Sequence, residues 1–488
     1  MFLWYRKCAV CYTYLSDYNI NNKEYALPDN VTTIKNRGDN INPIMQKSIA
    51  SCRWFRRGWT LQELIAPATV EFYDQDWSFI STKHDTKREL SRITSINENI
   101  LTGEASLESV LVGKKMSWAA SRQTTRAEDR AYSLLGIFDV NMPLLYGEGE
   151  KAFVRLQKKI LKASTDLSIF AWKSDRNVDT HARYSSIFAT DHSQFRDCQY
   201  LQPSGRKEGR LGFIGRQFDV TAQGLRTAGF LRGFDGYYLL PIDCAPGAPG
   251  SSDLEDEHLC VKLRQYGSNL FVRTEPWELF CLPLSVMPRV SMGAPQFIAH
   301  QNTELLQRKI TRSWQNSIRI NFINFDKGIQ IKYSPLQNWD VLNGRLINDG
   351  YRDFWGYCRL SLPSSIPKSS ETSLDDSQCI YVVCGRDGSQ VSEDSNVSNP
   401  FFCSVLSNAK MLEFNFLYSY SSVQTIRLIL GNINYPNAAS FPRLSHHEPM
   451  KMSIRDQVTQ VEVNGEALDV YTIDVITEIG ALEDLKVC

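Results

Sequence analysis

The sequence predicts an α/β unit over residues 1–174 followed by a mostly-β region over 175–488, sandwich-like in character. Three observations predict this. In the first third, a β-branched and aromatic run, a stretch of helical spacing and a second β run follow one another in the order of a parallel crossover. After Trp172 the pattern changes to short alternating apolar runs separated by turn residues, as in sandwiches and barrels. A chain of 488 residues also exceeds one ordinary core, so two or three domains are expected, with a further split near 287–307.

The elements follow in order. Residues 1–6 read as the end of an aromatic-rich helix, and 10–15 as a buried strand closed by Ser16-Asp17. The Asn- and Asp-rich stretch 19–42 reads as a loop or insertion. Helical spacing returns over 48–65 through Ile49, Cys52, Phe55, Trp59 and Leu64, and Pro67 marks its stop. Residues 70–74 read as the second strand. From 87 to about 163 the pattern is helical, with a long segment near 110–138 and another after Gly147-Glu148-Gly149 through Phe153, Leu156 and Ile160. These helices are expected to cover the sheet. Strands are then expected at 211–220, 237–242, 259–263, 269–272, 318–323, 329–333, 355–362, 379–383, 401–405, 426–430, 458–463 and 470–476, with polar loops at 245–257, 363–377 and 385–400.

Composition removes several function classes. Lys plus Arg number 54 and Asp plus Glu number 54, a balance that argues against a broad nucleic-acid or anionic-membrane footprint. No apolar run approaches the roughly 18–20 residues of a membrane span. In Met1-Phe2-Leu3-Trp4-Tyr5-Arg6-Lys7 the charge follows the apolar residues, unlike a signal peptide, so a cytoplasmic protein is expected. The 12 cysteines are too sparse for a disulfide scaffold. Cys8 and Cys11 form a lone Cys-x-x-Cys with no second pair nearby, so buried thiols rather than metal ligands are expected. His446-His447 and the dispersed remaining histidines define neither a metal cluster nor a triad. Trp277, Trp339 and Trp355 would line a carbohydrate or peptide groove or, as is commoner for Trp, fill the core.

Arg57-Gly58-Trp59-Thr60-Leu61-Gln62-Glu63-Leu64-Ile65-Ala66-Pro67 resembles the signature of the fungal HET (heterokaryon incompatibility) domain family. The resemblance continues, in the family's order, in Cys11-Tyr12-Thr13-Tyr14-Leu15-Ser16-Asp17, Ser117-Trp118-Ala119-Ala120, the run from Thr124 to Phe138, Leu145-Tyr146-Gly147-Glu148-Gly149-Glu150-Lys151-Ala152-Phe153 and Ser168-Ile169-Phe170-Ala171-Trp172. It implies a TIR-like, flavodoxin-like fold, a role in nonself recognition leading to cell death, and self-association through that domain, with an unknown protein partner for the β-rich region. Family members begin with further strands and helices, so the resemblance also implies an N-terminally truncated domain, from a gene model or as a degenerate remnant.

Trp59-Thr60-Leu61-Gln62-Glu63-Leu64 is similar to the segment of TIR domains whose glutamate cleaves the nicotinamide–ribose bond of NAD. The resemblance therefore makes Glu63 a candidate catalytic residue with NAD as substrate and no bound cofactor. Nicotinamide leaves NAD already carrying its ring charge, so one carboxylate holding the ribose hydroxyls and stabilising an oxocarbenium-like centre would suffice. Trp59 one turn earlier would wall a base, Ser16 and Asp17 at the carboxyl end of a strand would face the crevice, and Arg57 with Arg56 would meet a pyrophosphate or keep Glu63 ionised. The plainer expectations stand beside these: Glu63 solvating its helix, Trp59 in the core, Arg126, Glu128, Asp129 and Arg130 as an ion-pair network, and Gly147-x-Gly149 as a helix-leading turn rather than a phosphate loop.

Overall fold

The computed structural model describes residues 1–20, 49–176, 183–204, 218–227, 231–242, 244–247, 257–290, 295–300, 304–323, 330–347, 354–361, 379–386, 401–407, 438–441, 450–463 and 466–478. Helix α1 (Phe2–Lys7) leads into strand β1 (Cys11–Tyr14). A 3-10 turn (Arg53–Arg56) and helix α2 (Thr60–Ile65) then carry the chain to β2 (Val70–Tyr73) and β3 (Phe79–Thr82). β2 lies parallel to β1 with Cys11 opposite Val70 and Tyr14 opposite Tyr73, so the expected strand–helix–strand crossover is present. β3, not anticipated from the sequence, pairs antiparallel with β2 and makes the sheet mixed, in the order β1-β2-β3.

Local chemistry explains where α2 begins and ends. Gly58 precedes it because a Cβ there would stand 2.5 Å from Thr124 Cγ2, while its amide donates to Gln123 O at 2.9 Å. The Thr60 hydroxyl lies 2.6 Å from Trp54 O and 2.7 Å from Arg57 O and donates its one proton back to that pair of carbonyls, holding the turn before the helix. At the other end Lys83 Nζ donates to Leu64 O and Pro67 O, so a buried cation meets carbonyls that the helix cannot satisfy internally. Burial lowers the Lys83 pKa to about 8.

The helical spacing expected over 48–65 is not one helix, being broken between the 53–56 turn and α2 at 57–59. Residues 10–15 are not buried throughout: β1 alternates, with Thr13 and Leu15 inside and Tyr12 and Tyr14 outside, because only one face of this sheet meets the core. Nor is there a long helix near 110–138. Short helices at Val112–Ser117 and Asp129–Tyr132 flank an extended break, where Gln123 forms a parallel bridge with Arg57 and Arg122 is buried against Trp118 O. The side-chain and main-chain bonds of Arg122 and Gln123 reach back across the chain and outcompete helix propensity. The helix after Gly149 is as expected, Lys151–Ala163, with Phe153, Leu156 and Ile160 buried.

One hydrophobic cluster extends from Leu15 to Ile298 and includes Trp118, Phe153, Trp172, Phe195, Leu240 and Phe271. Arg273 joins its parts: the buried guanidinium lies 3.8 Å from the Trp172 ring centroid and donates to Phe170 O (3.0 Å) and Trp172 O (2.6 Å). A second cluster runs from Ile318 to Val475. The later half is strand-rich, as expected, and Tyr237–Ile242 and Ile318–Ile323 fall on the expected bounds. Its sheets are mixed, since Leu270–Thr274 pairs parallel with Gln296–Ile298 and Ile318–Ile323 parallel with Glu466–Glu478. It also contains a helix, Glu304–Gln315, that the strand pattern did not suggest. The expected strand at 426–430, residues 211–217, the loop at 363–377 and His446-His447 lie outside the described residues.

Candidate functional site

Glu63 is half-buried on α2, and both carboxylate oxygens are engaged. Tyr5 Oη donates to Oε1 at 3.2 Å and Trp54 Nε1 to Oε2 at 3.2 Å. Trp54 is itself fixed, edge-on to Phe55 at 4.9 Å and to Phe72 at 5.7 Å. The carboxylate thus ties α1, the 53–56 turn and α2 to one another. Arg57 and Arg56, offered by the sequence as its cations, are exposed. The cation whose charge couples to Glu63 is Arg122, buried and donating to Arg57 O (2.9 Å) and Thr60 Oγ1 (2.8 Å). Burial pulls the Arg122 pKa down to about 10 against the pull of Glu63. The same negative charge, second to burial, helps push Tyr5 up to about 12 and Cys11 up to about 11.

Ser16 and Asp17 lie at the other end of β1, roughly 13 Å of strand away from the end near Cys11 and Tyr5. Asp17 Oδ2 accepts the Arg53 amide at 2.8 Å and Ser16 Oγ accepts from the Arg53 guanidinium at 3.4 Å, so both hold the start of the 53–56 turn. Among the described residues no hydrogen bond or ion pair joins them to Glu63. Trp59 is half-buried and packs against the main core. The residues that complete the Glu63 cluster, Tyr5, Trp54 and Arg122, carry no local signal, because two of them lie 58 and 59 positions away in sequence.

The Gly147-x-Gly149 turn has an internal occupant. Both glycine amides donate to Glu128 Oε1, at 2.7 and 3.0 Å, and both glycines have positive φ, 101° and 58°. Tyr146 Oη donates to Asp129, Arg126 lies over the Tyr146 ring, and Arg130 and Arg155 pair with Asp191 and Glu148. The 126–130 run is therefore a structural network, and a carboxylate fills the position a phosphate would take.

Hollows lined by described residues include an apolar and a polar one. The first, of about 20 Å³, lies among Leu15, Ile49, Phe55, Phe72, Ile80 and Leu90. The second, of about 380 Å³, lies beside Trp277. Neither is lined by Glu63, Trp59, Ser16, Asp17 or Arg57. Trp339 is wholly buried, donating to Ser334 O, and Trp355 is half-buried. Among the described residues no group of three or more His, Cys, Asp or Glu is placed to hold a metal, and no helix is long and apolar enough to cross a membrane.

No protein-family model matches the chain, and no solved structure matches it. The chain is similar to vegetative incompatibility protein HET-E-1 of Podospora anserina, 44% identical over 163 residues, which are 33% of this chain. It spans 11% of the length of that relative.

Proposed function

We propose that this protein acts in vegetative incompatibility, as a nonself-recognition effector whose residues 1–174 signal cell death and whose β-rich region senses or restrains. The similarity to HET-E-1 over 163 residues carries this reading. Within it, the site geometry favours action by assembly, an adaptor role, over chemistry at Glu63. Two neutral donors hold that carboxylate, and it joins three segments of backbone, the work of a structural tie.

A surface suited to self-association lies on the same sheet. Among the described residues β1 is an edge strand of its sheet, and Tyr12, Tyr14 and Trp77 are exposed on it or beside it, with Tyr14 stacked on Trp77 at 4.9 Å, while Phe79 is exposed on β3. Trp77 holds this place with φ 60°, a conformation that costs a bulky residue on the order of 1–3 kcal/mol and persists only where the surroundings impose it. Exposed aromatic clusters beside an open strand edge are association surfaces. Induced expression of the full chain in fungal cells is expected to arrest growth, and Tyr14→Glu to relieve that arrest while lowering the mass of the purified protein's assemblies. Unimpaired growth on expression of the wild-type chain would contradict the effector reading.

The second reading is NAD cleavage by Glu63, and one observation favours it. Tyr5 and Trp54 occupy two of about four acceptor positions on the carboxylate, leaving others for ribose hydroxyls. Nicotinamide release by purified full-length protein, abolished by Glu63→Gln, would establish it in place of the adaptor role.

A further inference from the structure

The polar hollow beside Trp277 is formed where the segment after Trp172 runs between two walls. One wall is the 3-10 helix His192–Tyr200, and the other is the turn that follows strand Leu270–Thr274. The floor is bonded to both: Lys173 N donates to Gln194 O (2.9 Å) and Ser174 N to Pro276 O (3.0 Å). The cleft is therefore already formed, and a ligand entering it need not order the backbone. Its volume of about 380 Å³ falls within the range of small-molecule sites.

From its lining we infer that this cleft binds a neutral, hydroxyl-rich ligand, a carbohydrate. Three cations, Lys173, Arg176 and Arg196, and three carboxylates, Asp175, Asp197 and Glu278, line it together. An isolated phosphate entering here would meet the carboxylates, and a cationic ligand would meet the guanidiniums. A sugar hydroxyl donates and accepts at once, and it suits a wall in which donors and acceptors alternate, as Lys173 Nζ and Asp197 Oδ2 do at 3.5 Å. Glu278 is kept oriented by Lys262 at 3.1 Å. Trp277, half-buried, supplies the flat apolar wall against which a sugar ring's C–H face packs. Arg176 lies over the Trp277 ring, 5.9 Å from its centroid and at the outer limit of a cation–π contact, so a sugar stacking on that face would displace it.

The inference is independent of the incompatibility reading, because binding at this cleft is measured without any cellular response. The full-length protein is titrated with cello-, xylo-, manno-, chito- and laminari-hexaose, and with AMP and inorganic phosphate as charged probes, by calorimetry and tryptophan fluorescence. At least one neutral hexaose is expected to bind saturably. Trp277→Ala and the exposed Arg196→Ala are each expected to weaken binding roughly tenfold, about 1.4 kcal/mol, with unchanged melting for Arg196→Ala. The inference is overturned if no hexaose binds below about 10 mM, if binding survives both substitutions, or if AMP or phosphate binds in a Trp277-dependent way in place of the sugars.

Discussion

Replacing Glu63 by alanine tests the structural-tie reading through stability. The substitution leaves Trp54 Nε1–H, on a buried ring, without its acceptor, a loss of about 1.5–3 kcal/mol for a hydrogen bond to a charged group. Tyr5 is half-buried and recovers a water, so its lost bond costs about 0.5–1 kcal/mol. Glu63→Ala is therefore expected to destabilise by about 2–4 kcal/mol, and Tyr5→Phe by roughly 1 kcal/mol. Because the two share one bond, the double mutant should fall short of the sum by about 0.5–1 kcal/mol. Urea unfolding followed by tryptophan fluorescence measures all three. A Glu63→Ala change under about 0.5 kcal/mol, or strict additivity with Tyr5→Phe, would refute the argument.

Further expectations concern the scaffold. Gly58→Ala should destabilise by about 1–3 kcal/mol through the contact with Thr124 Cγ2, and Thr124→Ser, which removes that methyl, should restore most of the loss in a thermal melt. Arg273→Leu should cost about 3–5 kcal/mol, since Phe170 O and Trp172 O lose a buried donor and Trp172 loses its cation. Stability should also fall as pH rises from 9 to 11. Burial raises the Cys52 and Cys198 thiols from 9.0 to about 12 in the folded state, so the unfolded chain releases their protons first and their contribution is lost through that window. Lys83, lowered from 10.5 to about 8, opposes this between pH 8 and 10.5. Cys198→Ala should flatten the alkaline slope in pH-dependent urea titrations.

What was legible in the sequence was local. Residues 237–242 and 318–323 announced themselves as strands because short apolar runs bounded by turn residues have few alternatives, and the parallel crossover from β1 to β2 followed from their order. The helix Glu304–Gln315 carries its period in Leu306, Ile310 and Trp314, four apart and buried, within a region where short strand-like runs dominate the pattern. The break at 121–125 left no comparable mark, since it is imposed by partners some 60 positions away at 56–60. The same limit applied to Glu63. Its position on a helix was readable from the motif, but its partners Tyr5, Trp54 and Arg122 are set by tertiary packing, and the arginines adjacent in sequence turned out to be exposed.

The most direct test of the assembly account is growth of fungal cells expressing Glu63→Gln, which keeps an acceptor oxygen toward Tyr5 or Trp54 while removing the charge that chemistry would need. With folding verified by melting, the account predicts growth arrest equal to that of the wild-type chain and unchanged cellular NAD in both. Arrest lost in the folded variant, together with NAD depletion by the wild-type chain, would contradict it.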